Sequence, residues 1–225
     1  MFPVRDENPI RIVPVVNNSL IAANIGLFVL ELIFGERFVY TLSFVPQELS
    51  DLLAGAGNYG VVLTLFSAMF LHASFGHIIG NLLFLWIFGD NIEERLGSTR
   101  YLIFYLLCGI LASLVQWWID PQSTIPNLGA SGAISGVLGA YVLLFPTTAI
   151  RLFVWPFSIF IGTFALPAFL WIGVWFVMQL FSGIDQLGQM AQGGVAFWAH
   201  IGGFVAGVAL LLVLRPQRRQ QRWRY

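Results

Sequence analysis

Four side chains have the types and spacing to do chemistry. Ser131 stands in Gly129-Ala130-Ser131-Gly132, and His200 in Ala199-His200-Ile201-Gly202-Gly203. A serine becomes a useful nucleophile only with a base in hydrogen-bond reach, usually a histidine. Taken alone, the serine motif also fits a small-residue helix start, since Ser is a favoured N-cap. His77 and Asn81 are four residues apart and so share a helix face. Both can donate hydrogen bonds, which a developing tetrahedral oxyanion requires. His72, five residues before His77, falls off that face and reads as supporting structure.

Metal chemistry finds no pattern here. There is no His-Glu-x-x-His, and the three histidines have no carboxylate at ligand spacing. The lone Cys108 lies in an apolar run, which rules out an internal disulfide and a thiolate metal site. No Gly-x-Gly-Asp occurs either: Asp185 follows Gly-Ile, and Asp90 follows Phe-Gly. The sequence therefore gives no reason to expect a metal or cofactor.

The elements that position these groups must sit in lipid. The 225 residues are 58% hydrophobic and 10% charged, with mean hydropathy +0.81. A soluble domain covers its surface with about 25% charged residues. Polar groups at membrane depth are costly and by default suggest function. The candidates are Asn24, Glu31, His72, His77, Asn81, Ser131, Ser135 and His200. The net charge is zero, and the Arg-rich tail after Leu214 reads as a cytoplasmic anchor rather than an RNA-binding patch, so no nucleic-acid partner is expected. Arg5, Asp6, Glu7 and Arg11 precede a polar Asn17-Asn18-Ser19, and no cleavable signal peptide is expected.

A span needs about 20 apolar residues. Spans are expected at Ser19–Phe34, Gly76–Glu93, Tyr101–Trp118, a short fourth at Ser131–Phe145, then Thr163–Phe181 and Val195–Leu214. The apolar 61–71 stretch is too short to cross. Pro156 and Pro167 interrupt the apolar run from Leu152 to Phe181, and its first part is expected at the interface. The fold class is thus an all-α polytopic membrane protein with six transmembrane helices. It divides into a cytoplasmic segment 1–18, a membrane domain 19–214 and a basic tail 215–225. Trp117, Trp118, Trp171 and Trp198 read as interfacial or packing aromatics.

Charge asymmetry supports six spans. With residues 1–18 in the cytoplasm, Arg5, Arg11, Arg95, Arg100, Arg151 and the five tail arginines lie inside, and only Arg37 lies outside. A seventh span would put the tail outside. The expected location is a prokaryotic plasma membrane, crossed several times, with both termini cytoplasmic.

This topology brings the serine and histidine to one depth. Ser131 opens the short helix at its outer end, and His200 lies about five residues into the last helix, roughly 8 Å below the same surface. Gly203 and Gly207 follow His200 on one face, as Gly132, Gly136 and Ala140 do on the short helix. Small residues every fourth position let membrane helices pack closely.

Gly-Ala-Ser-Gly, Ala-His-x-x-Gly-x-x-x-Gly and His-x-x-x-Asn, in that setting, resemble the rhomboid family of intramembrane serine proteases. The resemblance covers nearly the whole chain. It implies a rhomboid-like bundle with Ser131 as nucleophile and His200 as general base, without an acidic third member. It further implies an oxyanion hole of His77, Asn81 and the Ser131 backbone N–H, with Gly129, Gly132, Gly203 and Gly207 in support. The implied substrates are transmembrane segments of other membrane proteins, cut near the outer face. The fifth helix and the Gly183–Gly194 loop would then act as gate and cap.

Two departures stand out. Leu63-Thr64 occupy the place of a Trp-Arg pair that some members carry in the first loop. Ser135 stands where some members have an aromatic one turn after the serine, leaving Ser135 as a hydrogen-bond partner to be considered for His200. The competing non-enzymatic reading is an inactive relative that binds membrane-protein clients, although such relatives typically lack the serine or the histidine. A transporter is a weaker third reading, since no charged pathway or internal repeat is visible.

Overall fold

The computed structural model describes residues 2–187 and 196–214. The basic tail 215–225, the loop glycines Gly188, Gly193 and Gly194, and Val195 lie outside the described residues.

A strand, β1 (Phe2–Asp6), precedes helix α1 (Val15–Phe34). Three short helices, α2 (Glu36–Leu42), α3 (Pro46–Leu53) and α4 (Gly60–Ser67), fill the first loop. Helix α5 (Phe75–Phe84) runs through a π turn, Leu85–Gly89, into α6 (Asp90–Leu96). Then come α7 (Ser98–Ile119) and the short α8 (Ser131–Leu144). A hairpin follows: β2 (Ala149–Phe153), α9 (Phe157–Ile161) and β3 (Phe164–Pro167). Helices α10 (Ala168–Leu187) and α11 (Phe197–Leu214) complete the described chain.

Among the described residues, five helices are long and apolar enough to cross a membrane: α1, the continuous Phe75–Leu96 helix, α7, α10 and α11. The sixth, α8, is shorter, as expected from its sequence. It is the centre of the bundle, and every residue from Gly132 to Tyr141 is buried. A membrane helix can be surrounded in this way only if its neighbours come very close, and its glycines permit that. A Cβ on Gly132 would overlap Ala112 of α7. On the other side, a Cβ on Gly203 would run into the Gly132 carbonyl, and one on Gly207 into the Gly136 backbone. The α8 and α11 helices thus touch backbone to backbone along the face that the glycine spacing marks.

Helix boundaries follow long-range polar contacts. The first span starts at Val15 rather than Ser19, because Glu93 accepts the N–H of Val16 at 3.0 Å and of Asn17 at 2.7 Å. A carboxylate from another helix thus satisfies donors that an α-helix leaves free at its start. The π turn has an equally specific partner. Asn17 Nδ2 donates to Leu85 O at 3.1 Å, and Tyr101 Oη donates to Asn17 Oδ1 at 2.8 Å. Gly97, at φ +79, ends α6 and lets α7 begin at once.

The hairpin differs from the all-helical expectation. β1, β2 and β3 form an antiparallel three-stranded sheet, with Pro3 opposite Leu152 and Arg151 opposite Ala165. Consequently the fifth span begins at Ala168, not Thr163. Proline disfavours helical geometry in the residue before it, so Leu166 stays extended. The sheet lies at the end of α8 away from Ser131. There Tyr141 Oη donates to Asp6, and Arg151 pairs with Glu7.

Candidate active site

The turn into α8 starts from a glycine. Gly129 has φ +126, a conformation that L side chains rarely adopt, and its N–H donates to Ala68 O at 2.8 Å. A Cβ there would stand 2.8 Å from the His77 ring. Gly129 therefore permits both the turn and the close approach of His77. Ser131 is the first residue of α8, so its own N–H has no acceptor within the helix.

His200, on α11, faces it. Nε2 lies 2.8 Å from Ser131 Oγ. Nδ1 lies 2.8 Å from Gln179 Oε1 on α10. The aromatic rings at this imidazole come from Trp175 of α10, at 6.2 Å between centroids and 32° between planes, and from Phe197, edge-on at 6.4 Å. Ser135 instead turns back on its own helix, and its Oγ donates to Ser131 O at 2.7 Å. An α10 aromatic thus lies by the histidine in this chain, which has Ser135 one turn after Ser131.

His77 and Asn81 point into the same cavity, of about 790 Å³, that Ser131 and His200 line. Two features orient them as donors. Ala73 N–H donates to His77 Nδ1 at 3.4 Å, so that the ring hydrogen belongs on Nε2, the nitrogen near Gly129. Asn81 is 8% exposed, and among the described residues its Nδ2 has no hydrogen-bond partner. Buried donors are nearly always paired, and one facing a cavity is ready for a ligand oxygen.

The flanking polar residues hold this arrangement. Glu31 of α1 accepts the His72 N–H at 3.1 and 3.2 Å. The His72 ring packs against His77 with centroids 5.1 Å apart. Burial, with His77 nearby, pushes the His72 pKa down to about 4, so this side chain is a neutral support. Asn24 donates to Leu20 O within its own helix and stays away from the cavity. Among the described residues, no three His, Cys, Asp or Glu side chains come together as a metal site.

Gln179 and Trp175 were missed by the sequence reading. Gln179 did carry a signal, because it is the one amide between Phe164 and Phe181, near the end of an otherwise apolar span.

The rhomboid domain model matches residues 59–217. The chain belongs to the rhomboid family. It is 31% identical over 151 residues to the mitochondrial rhomboid protein 1 of Saccharomyces cerevisiae, covering 65% of this chain and 40% of that one. To the rhomboid protease GluP of Bacillus subtilis it is 34% identical over 183 residues, 81% of this chain and 32% of the relative. To the chloroplastic rhomboid-like protein 11 of Arabidopsis thaliana it is 27% identical over 197 residues, 87% and 64% respectively. The chain thus spans from 32% to 64% of the length of these relatives. Family and apolar helices together make it an integral membrane protein of a family that includes proteases.

Proposed function

We propose that this rhomboid is a serine endopeptidase that cuts transmembrane segments of other membrane proteins near the outer face of the bilayer. The 2.8 Å contact between Ser131 Oγ and His200 Nε2 carries this reading. His200 takes the Ser131 proton as Oγ attacks the scissile carbonyl. The resulting oxyanion accepts hydrogen bonds from Asn81 Nδ2, His77 Nε2 and the Ser131 N–H. The proton then passes to the leaving amine, and the peptide remains as an ester on Ser131. A water molecule, with His200 again as base, releases the acid and restores the hydroxyl. The α10 helix, which lines the cavity through Trp175, acts as its gate. The competing reading, a client-binding inactive relative, has no use for a paired serine and histidine beside an unpartnered amide donor.

The test is a fluorophosphonate probe on the detergent-solubilised protein. Wild type should be labelled and Ser131→Ala should not. An unlabelled wild type would favour the inactive relative.

A prokaryotic plasma membrane with both termini cytoplasmic is part of the same proposal. The described Arg5, Arg11, Arg95, Arg100 and Arg151 lie towards the sheet end, and Arg37 lines a cavity with His72 and Ser74 at the other. Single cysteines at Gln217 and Gly57 should label from opposite sides, and same-side labelling would overturn the six-span orientation.

A further inference from the structure

His200 has two ring nitrogens, and only one can serve Ser131. Nε2 accepts the serine proton only while the hydrogen of the neutral imidazole sits on Nδ1. What faces Nδ1 therefore decides whether the base is in its working form. That group is Gln179 Oε1, at 2.8 Å, an acceptor that requires Nδ1 to be the donor. With the amide reversed, its NH₂ would oppose Nδ1 and move the hydrogen to Nε2. His200 would then donate to Ser131 and be unable to take its proton.

Among the described residues, the surroundings supply no substitute. Trp175 and Phe197 stand against the ring with carbon faces and edges. Ser135, one turn below the nucleophile, is committed to Ser131 O. Gln179 is also an expensive residue to keep, because an amide in an apolar span needs a partner. Its neighbours Val177, Met178 and Phe181 are exposed large apolar side chains, as expected of a lipid-facing helix.

We infer that Gln179 is a positioning residue, whose amide oxygen fixes His200 in the Nδ1–H tautomer and makes the Ser131–His200 pair depend on α10 lying against α11. The inference rests on the protease reading above. Because Gln179 is neutral, it orients the imidazole without adding charge. A helix that borders the substrate cavity thereby also sets the base, and an outward swing of α10 would release both together.

Labelling kinetics with the fluorophosphonate probe test this directly. Gln179→Met keeps the length but removes the acceptor. Its maximal labelling rate should fall about 10-fold, the worth of one neutral hydrogen bond, while the half-saturating probe concentration stays within about twofold. Gln179→Glu restores an acceptor with the same reach, and should return the rate to within about threefold of wild type. A residue that merely packed would give the reverse order, since Met suits an apolar span better than Glu does. Gln179→Met labelling at the wild-type rate, or Glu labelling no faster than Met, would overturn the inference. Either result, with wild type labelled and Ser131→Ala blank, would leave the protease reading standing. Labelling that persists in Ser131→Ala would remove that reading, and this inference with it.

Discussion

The α8–α11 pair and α10 are built on opposite principles. Along α8, every residue from Gly132 to Tyr141 is buried, and its glycines meet α11 backbone to backbone. Along α10, Phe169, Val174, Val177, Met178, Phe181 and Ile184 are all exposed. The proposed nucleophile and base, Ser131 and His200, stand on the first pair. The group that orients the base, and the aromatic ring beside it, come from the second. Geometry that must not vary has been put where no side chain layer separates two helices. The proposed gate is anchored at its start by the buried Ala168, Trp171 and Ile172, and further along it turns exposed apolar side chains outward.

The strongest way to break this comparison is at the pair itself. Ser131→Ala and His200→Ala should each abolish cleavage of a model transmembrane substrate. The double variant should be no worse than either, because the two act as one unit. Ser135→Ala should retain cleavage, since that hydroxyl is spent on its own helix. Activity lost in Ser135→Ala but kept in Ser131→Ala would assign the wrong serine.

Next in size are the donors across the cavity. Asn81→Ala or His77→Ala should lower turnover about 10²–10³-fold, as loss of one oxyanion donor typically does. Wild-type turnover in both variants would refute their role.

The interface and the gate can then be set against each other. A methyl group at Gly203 or Gly207 meets backbone, which cannot give way like a side chain. Gly203→Ala and Gly207→Ala should cost about 1–3 kcal/mol of stability, the usual range for overpacking, and slow cleavage by shifting His200. Thermal melts in detergent would show it. The smallest effect belongs to α10, where Val177→Ala should change stability by no more than about 0.5 kcal/mol. Equal destabilisation at Gly207 and Val177 would erase the contrast.

Much of the rigid pair was legible in the sequence, because both of its signals are local. Glycines repeat every fourth position, and the serine and histidine motifs sit at helix ends of matched depth. Glu93, Asn17 and Tyr101 were not legible in this way. Their partners lie on other spans, so no window of sequence contains the contact that moves the start of α1 to Val15. The sheet escaped for the same reason. Ala149–Phe153 is a plausible strand only once residues 2–6 are known to lie beside it. Gln179 was visible as a polar residue, but what it faces depends on how α10 leans on α11, which follows from tertiary packing.

The sheet also has a consequence for how the chain is made. β1 leaves the ribosome before β2, and Glu7 and its partner Arg151 are 144 residues apart. At about 5–20 residues per second, roughly 7–29 s pass before β2 is available. Throughout that interval Phe2 and Val4 belong to a strand with an unpaired edge, while the helices from α1 to α8 are still being threaded into the bilayer. The sheet can close, and Asp6 can meet Tyr141, only after the buried central helix has been delivered. β1 is therefore a late clasp, fastened only once the buried α8 has been made and before α10 and α11 join it.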